Sequence, residues 1–307
     1  MTIVIARKFG RRIIVASDTM VSDAATGRPN AIPGRLKAIV IGDHVSVAYA
    51  GHANQAIDTI RIARVRLAET GNLDFALETL RQATSSPDYE VDFLVAAHRP
   101  EACLHKIRAG TVSGNLNEAA IGDGSLVREI LDRELQQQVM VIECGNENVG
   151  QPELRFWRAF HELFREHGIR VREAVGGFAI NLLASPYGHT YQGHAAAMSW
   201  DTIRIPGGIT PEQHDARRSG QTSWSYTIMT SPLRGVAILG VMLPQLPVGF
   251  IYSPLDCDEA IRVDLPPIES ADKGASEGRA LEMLRAVVDR YADRIGGGFL
   301  EKLIGAP

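Results

Sequence analysis

The 307-residue sequence predicts a mixed α+β fold in which helices pack outside a pair of antiparallel sheets. Two observations support this class. Predicted strands and helices come in groups along the chain: four strands, then two helices, then further groups of each. The first four strands also form two hairpins, with turns at Gly10 and at Gly42-Asp43. Grouped strands joined by short turns favour antiparallel sheets over an alternating parallel α/β fold.

In the first half of the chain, short β-branched and apolar runs predict strands, and apolar residues at helical spacing predict helices. The predicted strands are Thr2–Ala6, Ile13–Ala16, Lys37–Ile41, Val45–Ala50, Val91–Ala97, Cys103–Ala109 and Glu118–Ile121. A loop rich in glycine and proline, residues 19–34, separates the two hairpins. One helix is predicted from about Asn54 to a stop at Gly71-Asn72, and a second from Asp74 to Ala83.

In the second half, a helix from about Ser125 to Gln138 follows a glycine turn, and another begins at Pro152 and stops at Gly168. The later predicted strands are Phe178–Ala184, Tyr226–Thr230, Val236–Met242, Gly249–Tyr252 and Ala260–Leu265. Residues 139–151 fit either a strand or a loop, and residues 185–224 are predicted to be rich in loops. A last helix is predicted over 275–295, with burial spacing at Leu281, Leu284, Val287, Val288 and Tyr291.

Composition is typical of a globular domain, with 45% hydrophobic and 22% charged residues. The net charge of −4 predicts neither nucleic acid nor an anionic membrane as a partner. The cysteines are few and widely spaced, at positions 103, 144 and 257, which favours a reducing compartment without disulfides. With no predicted signal peptide or membrane span, the expected location is the cytoplasm.

Thr2 is the candidate nucleophile. If Met1 is removed, Thr2 carries a free α-amine beside its own hydroxyl, so that one residue supplies both nucleophile and base. Asp18 lies sixteen positions after Thr2, and Gly51 lies fourteen positions after Lys37. Taken singly, each residue has a plainer explanation: a strand residue, a turn residue or a solvated lysine. The functional interpretation depends on the spacings together.

These spacings resemble the proteasome β-type and HslV peptidase family of N-terminal-nucleophile (Ntn) hydrolases. That family begins with the nucleophilic threonine, has an aspartate sixteen positions later, and has a lysine fourteen positions before a glycine in an Ala-Gly-Gly turn. Ala50-Gly51-His52 matches that turn except at its last residue. The turns Ile121–Gly124 and Val175–Gly177 resemble two later family turns, and the resemblance covers about residues 2–184.

The resemblance implies an Ntn-hydrolase αββα sandwich, in which two antiparallel sheets are flanked by helices. It places this domain in residues 1–265, followed by a C-terminal helical extension in 266–307. It further implies a peptide or protein substrate, a homo-oligomeric ring with an ATP-dependent unfoldase as a candidate partner, and no cofactor or metal.

The family roles carry over to individual positions. Thr2 Oγ would attack the carbonyl carbon while its α-amine accepts the proton. Lys37 would lower the pKa of that amine, and Asp18 would keep Lys37 charged and in place. The Gly51 N–H would face the oxyanion.

Three further positions complete the predicted site. Asp123 would accept a hydrogen bond from the Thr2 amine, and as a charged group it would raise the pKa of the amine. Met20 and Ser22 are the predicted substrate-binding residues. Ser22 occupies the position of a family threonine whose backbone pairs with extended peptides, and Met20 replaces a frequent arginine.

Three positions depart from the family pattern and leave alternatives open. Asp123, Arg172 and Val175 stand where the family has serine, aspartate and serine. The first hypothesis is a threonine peptidase with Thr2 as its nucleophile. The second is a non-catalytic, proteasome-like scaffold subunit, and the third is an Ntn amidase that acts on a small molecule.

Overall fold

A computed structural model of the chain describes most of the residues that carry the predicted elements. The described residues are 2–22, 29–30, 32–98, 101–136, 151–167, 170–199, 223–230, 238–243, 247–254, 260–265, 278–279, 281–283, 285–287 and 289–291. Within them, three five-stranded antiparallel sheets and several helices form a mixed α+β fold. The predicted α+β class with antiparallel sheets is therefore confirmed.

The elements are numbered in chain order. The strands are β1 (Ile3–Phe9), β2 (Arg12–Ser17), β3 (Val21–Ser22), β4 (Pro29–Asn30), β5 (Ala38–Gly42), β6 (Val45–Gly51), β7 (Val91–His98), β8 (Ala102–Arg108), β9 (Thr111–Ser113), β10 (Glu118–Gly122), β11 (Arg170–Arg172), β12 (Val175–Gly176), β13 (Ile180–Ser185), β14 (Gly188–Tyr191), β15 (His194–Ser199), β16 (Ser223–Thr230), β17 (Leu239–Leu243), β18 (Val248–Tyr252) and β19 (Ile261–Asp264). The helices are α1 (Ala53–Thr70), α2 (Leu73–Ala83), α3 (Gly124–Gln136) and α4 (Gln151–His167).

Each large sheet pairs neighbouring strands in antiparallel register. Sheet I has the order β10-β1-β2-β13-β14, sheet II the order β5-β6-β7-β8-β9, and sheet III the order β15-β16-β17-β18-β19. The first predicted hairpin is β1–β2 in sheet I, and the second is β5–β6 in sheet II. The two hairpins therefore belong to different sheets, and their facing surfaces meet in the main core.

Alternation along β1 explains how sheet I buries both of its faces. Val4 and Ala6 point into the main core shared with sheet II, whereas Ile3 and Ile5 point to the opposite side. On that side they meet apolar residues of α3 and α4, including Phe160. The other pair of helices, α1 and α2, covers the outer side of sheet II through residues of the main core. Helices thus lie outside the two packed sheets.

Gly71-Asn72 separates α1 from α2 at the position that the sequence predicts. Gly71 adopts a left-handed conformation with φ of 64° and donates its N–H to the Leu67 carbonyl, which ends α1. The Asn72 side chain then accepts from the Asp74 N–H at 2.9 Å and begins α2. The predicted stop and restart at this dipeptide are confirmed.

Sheet III extends the main core beyond the region of family resemblance. Its inward residues, including Phe250 and Tyr252, join the main core, whereas Ile251 on the other face packs with Met283 and Tyr291. The residues described between 278 and 291 are helical. The predicted loop-rich region 185–224 was partly wrong, because β14, β15 and the start of β16 fall within it.

The last helix buries part of the predicted face: Tyr291 is 2% exposed and Val287 packs against the same cluster, but Leu281 does not. Leu281 is 44% exposed, whereas Met283, only two positions away, is 2% exposed. Met283 lies against Gly249, where a side chain would overlap it. The helix therefore docks through residues in register with 283, and the predicted burial of Leu281 was wrong. Leu284 and Val288 lie outside the described residues.

Some predictions concern residues that the structure does not describe. Of the ambiguous segment 139–151, residues 139–150 lie outside the described residues, as do Cys144 and Cys257, and Cys103 is a free thiol. The boundary at residue 265 stays a prediction. In the described part of the chain, no helix combines the length and the apolar character needed to cross a membrane.

Candidate active site

Thr2 is held at the start of β1 by the peptide group that joins it to Ile3. Its carbonyl accepts the Asp123 N–H at 2.8 Å, and the next amide, that of Ile3, donates to Asp18 Oδ1 at 3.1 Å. Gly122 allows this approach, because a side chain at its φ of +93° would overlap the Thr2 carbonyl. Residue 2 is therefore fixed before any substrate binds.

Lys37 connects Thr2 and Asp18, two of the other predicted members of the site. Its Nζ lies 2.5 Å from Thr2 Oγ1 and 2.8 Å from Asp18 Oδ1, and it donates a hydrogen bond to each. The side chains of Lys37 and Asp18 are fully buried, and Thr2 is 4% exposed. The structure thus brings together three residues from three separate segments of the chain.

Burial disfavours the charged forms of both Lys37 and Asp18. Removal from water lowers the pKa of the Lys37 ammonium below its ordinary value, and the nearby Asp18 opposes this shift. Burial likewise raises the pKa of Asp18, against the charge of Lys37 and the amides of Ile3 and Gly176. Lys37 therefore releases a proton more readily than a solvated lysine, while it touches the Thr2 hydroxyl.

The segment before Lys37 reaches the site through a glycine turn. Gly34 has a φ of +67°, and a side chain there would overlap the carbonyl of Thr19. That carbonyl accepts the N–H of the next residue, Arg35, at 2.7 Å. Because Thr19 directly follows Asp18, the turn delivers Lys37 beside the carboxylate.

The Val175–Gly177 turn contributes to the site through its backbone. The Gly176 N–H donates to Asp18 Oδ2 at 3.2 Å, and its carbonyl accepts the N–H groups of Thr19 and Met20. Val175 itself is buried among apolar residues between sheet I and α4. The turn that resembles a family turn therefore orients Asp18 by an amide, although residue 175 has no polar side chain.

Gly51 lies at the end of β6 with a φ of +120°. A side chain here would overlap the carbonyl of Glu90, so the close approach of β6 and the segment before β7 requires glycine. Gly51 lines two cavities that also share Thr2, of about 830 Å³ and 680 Å³. We refer to them as the large cavity and the small cavity.

Met20 and Ser22 both line the small cavity, together with Lys37. Met20 is 1% exposed, whereas Ser22 is exposed and belongs to the short strand β3. The structure therefore places both predicted substrate-binding residues beside Thr2, in the same cavity.

Asp123 lies next to Thr2 through its backbone, and its side chain begins α3. Its Oδ1 accepts from the N–H groups of Ser125 and Leu126 at 2.9 and 3.2 Å, and Arg172 lies 3.6 Å from its Oδ2. Burial alone would raise the pKa of Asp123, but these hydrogen bonds and the Arg172 charge hold it below its ordinary value.

Two of the departures from the family pattern are thus partners of each other, because Asp123 and Arg172 form an ion pair. The role of Asp123 as acceptor for a free Thr2 amine stays a prediction, because Met1 precedes Thr2 in this chain.

Sequence reasoning missed several residues around the site. Arg35 and Arg262 line the small cavity, and the Gly176 amide contacts Asp18. The position of Arg35, two residues before Lys37 in an extended segment, was a usable signal for a shared face. Arg262 lies more than two hundred positions away, and no local pattern connects it with Thr2.

Comparison of the chain with models of protein families gives no match, and comparison with curated protein sequences gives none either. A hydroxyl in contact with a buried lysine, beside two cavities, suits nucleophilic attack on a bound carbonyl.

Proposed function

We propose that this chain is an N-terminal-nucleophile hydrolase in which Thr2, freed by removal of Met1, attacks amide carbonyls. Within that class, the proposed protein is a proteasome β-type or HslV-like threonine peptidase that cleaves peptide bonds. The observation that carries the proposal is the 2.5 Å contact between Lys37 Nζ and Thr2 Oγ1, with Asp18 on the other side of the ammonium.

The proposed reaction begins with attack of Thr2 Oγ on the substrate carbonyl carbon. The free α-amine of Thr2, whose pKa is ordinarily ~7.7–8.0, accepts the hydroxyl proton near neutral pH. Lys37 stabilises the developing alkoxide, and the Gly51 N–H is the proposed donor to the oxyanion. The amide C–N bond then breaks, and the departing amine takes the proton that the α-amine received.

The second half-reaction releases the acyl group. Water attacks the Thr2 ester, the α-amine removes a proton from the water, and that proton returns to Thr2 Oγ as the ester bond breaks. Asp18 holds Lys37 in place throughout, because its carboxylate is itself fixed by the amides of Ile3 and Gly176.

The proposal includes a finer description of the fold and the assembly. Two packed sheets with α3 and α4 on one side and α1 and α2 on the other support an Ntn-type αββα sandwich. A homo-oligomeric ring in the cytoplasm, served by an ATP-dependent unfoldase, is proposed from the family resemblance of residues 2–184.

The direct test is chemical labelling of residue 2. Intact-mass measurement of the natural protein is expected to show loss of Met1. A threonine-directed electrophile such as a peptide epoxyketone is then expected to add one equivalent, located at Thr2 by peptide mapping. Thr2→Ala should eliminate the adduct and the hydrolysis of a peptide substrate, whereas Thr2→Ser should keep measurable labelling because serine retains the hydroxyl.

Retention of Met1, or absence of an adduct under conditions that label a control threonine peptidase, would contradict the proposal. Unchanged biological function in Thr2→Ala would favour the scaffold hypothesis. Turnover of small amides without turnover of peptides would favour the small-molecule amidase.

The Asp123–Arg172 pair gives a separate prediction about pH dependence. Arg172→Met leaves the Asp123 carboxylate without its cation, which favours the protonated α-amine of Thr2 and raises the pKa of that amine. The acid side of the pH–rate profile is expected to move up by about half a pH unit, a small effect because Arg172 is 43% exposed. The measurement is kcat/KM for a peptide substrate between pH 6 and 9.

Two matched variants control for structural damage. Asp123→Asn keeps an oxygen acceptor for the start of α3 but removes the charge, so the acid limb should move down instead. Arg172→Lys keeps the charge and should leave the limb near its original place. Movement of both charge-removing variants in the same direction would show that electrostatics at the amine is not the cause.

A further inference from the structure

Arg35 presents a positive charge to the small cavity without an acidic partner of its own. Its Nη1 donates to Asn54 Oδ1 at 2.6 Å, and among the described residues no carboxylate lies within 4.0 Å of its guanidinium. Its backbone is fixed by the hydrogen bond to the Thr19 carbonyl. A neutral amide therefore orients this guanidinium, and its charge is available to a bound molecule.

Sheet III supplies a second arginine to the lining of the small cavity. Arg262 on β19 pairs across the strands with Phe250 on β18, so the two side chains share one face of the sheet. Both line the small cavity, and their neighbours Ile251 and Ile261 face the other way, toward the C-terminal helix.

The position of this face of sheet III is set by a direct contact with the segment that carries Arg35. Tyr252, two residues after Phe250 on the same face, donates its hydroxyl to the Pro33 carbonyl at 2.5 Å. Arg262 Nε contacts Asp264, but the Asp264 side chain is 80% exposed, so water screens this pair.

The charge of the small cavity contrasts with that of the large one. The described lining of the small cavity contains Arg35, Lys37 and Arg262 and no acidic residue. The described lining of the large cavity balances Glu90 and Asp92 against Lys106 and Arg108. Since Lys37 is paired with buried Asp18 and Arg262 with exposed Asp264, the charge of Arg35 contributes most to the positive character of the small cavity.

We propose that the small cavity selects a substrate segment with a carboxylate side chain, glutamate or aspartate, placed between Arg35 and Arg262 next to the amide that Thr2 attacks. This specificity rests on the proposed function. Guanidinium groups bind carboxylates through charge-assisted hydrogen bonds, and a hydrophobic neighbour such as Phe250 limits the water that competes for them.

Peptide binding to Thr2→Ala tests the specificity without any turnover. The probes are three fluorescent, terminally blocked hexapeptides that differ only at one central position, which is glutamate, glutamine or lysine. Fluorescence anisotropy is expected to show the glutamate peptide binding about tenfold more tightly than the glutamine peptide, with the lysine peptide weakest. Equal affinities for the three peptides, or binding of none of them, overturns the proposal.

Charge-changing variants in the Thr2→Ala background locate the preference. Arg35→Met and Arg262→Met should each reduce the affinity for the glutamate peptide about tenfold and hardly change that for glutamine. Arg35→Lys should retain much of the preference, and Arg35→Glu should shift it toward the lysine peptide. Arg66→Met, at an exposed position on α1, is the matched control and should bind like its parent.

The outcome can be separated from that of the proposed function. Binding of the glutamate peptide that depends on Arg35, combined with no electrophile adduct on Thr2 in the natural protein, would uphold the preference of the small cavity for an acidic side chain and reject the peptidase. An adduct on Thr2 without any glutamate preference would do the reverse.

Discussion

Lys37→Met is expected to reduce hydrolysis at least about a hundredfold and to destabilise the fold by about 3–5 kcal/mol. The loss of activity follows from removal of the only described ammonium in contact with Thr2 Oγ1. The loss of stability follows because Asp18 would remain fully buried with its lysine partner gone. Few single substitutions in this chain should have so large an effect on both properties.

A double variant separates the two effects. Asp18→Asn in the Lys37→Met background removes the buried carboxylate charge that has lost its lysine, and it keeps an oxygen that can accept the Ile3 N–H. It is expected to recover a large part of the lost free energy of unfolding, because an uncharged pair has no ion to desolvate. Hydrolysis and Thr2 labelling should stay as low as in Lys37→Met, because the ammonium is still absent.

Denaturant unfolding measures the stability of the single and double variants, and electrophile labelling of Thr2 measures their reactivity. Arg66→Met is a suitable control, since it removes an exposed cation on α1. If Lys37→Met kept the parental labelling rate, Lys37 would have no part in activating Thr2. If the double variant were less stable than Lys37→Met, the buried-charge argument would be wrong.

Acidification from pH 7 to pH 5 is expected to cost the folded chain about 2 kcal/mol through His189 alone. His189 on β14 joins sheet I to sheet II. Its Nδ1 lies 2.7 Å from Ser46 Oγ on β6, and its Nε2 lies 3.1 Å from His98 Nδ1 on β7. The chain of contacts ends at the Arg11 carbonyl, 2.6 Å from His98 Nε2.

The Arg11 carbonyl at the end of this series of hydrogen bonds determines which ring nitrogens carry protons. The Arg11 oxygen only accepts, so His98 carries its proton on Nε2 and accepts at Nδ1. His189 must then donate from Nε2, and its Nδ1 accepts from the Ser46 hydroxyl. Both rings are neutral in this arrangement. A second proton on His98 would place two N–H groups face to face.

The pKa values set the direction of the pH effect. Burial, with smaller contributions from His98 and His44, lowers the pKa of His189 from 6.5 to about 3. Burial also lowers the pKa of His98, against its hydrogen bond to Arg11. Between pH 6.5 and a pH of about 3, the unfolded chain binds a proton at His189 that the folded chain does not bind. The stabilisation is therefore complete above pH 6.5 and is lost as the pH falls toward 3.

Urea unfolding of the parent and of His189→Gln between pH 7.5 and 4.5 measures this effect. His189→Gln should be less stable at pH 7 yet lose less stability on acidification, because glutamine does not titrate. His52→Gln, which removes an exposed histidine before α1, should follow the parent curve. Parallel curves for His189→Gln and the parent would contradict the assignment of the pH dependence to this ring.

The His189 network also marks where sequence reasoning stopped. The sequence around His189 predicts no partner for it. Its partners Ser46 and His98 lie on strands of sheet II, far away along the chain. Side-chain contacts across two packed sheets leave no periodic pattern in any one segment, so only the packing reveals them.

Hairpin turns and helix boundaries were much easier to predict from the sequence. Turn residues and short β-branched or apolar runs predicted both N-terminal hairpins, and a glycine–asparagine pair predicted the boundary between α1 and α2. Thr2, Asp18 and Lys37 were singled out in a different way, because their spacings resemble those of the threonine peptidase family.

Sheet III and the C-terminal helix were harder. Individual strands were predictable from their apolar runs, but their arrangement over the small cavity was not. The burial of Met283 in place of Leu281 depends on the space left by Gly249. Helical periodicity defines a stripe of apolar residues, and the partner surface selects which part of that stripe is buried.

The hairpin turns and the boundary between α1 and α2 follow from the order of residues alone, because they depend on backbone conformation and pairing between neighbours along the chain. The resemblance in spacing singled out Thr2, Asp18 and Lys37. Only the tertiary structure determines the directions in which the pKa values of Lys37 and Asp18 shift. It also determines the Asp123–Arg172 ion pair and the placement of two arginines at the small cavity. Each depends on burial or on proximity between distant segments, and both arise when the sheets pack together and exclude water.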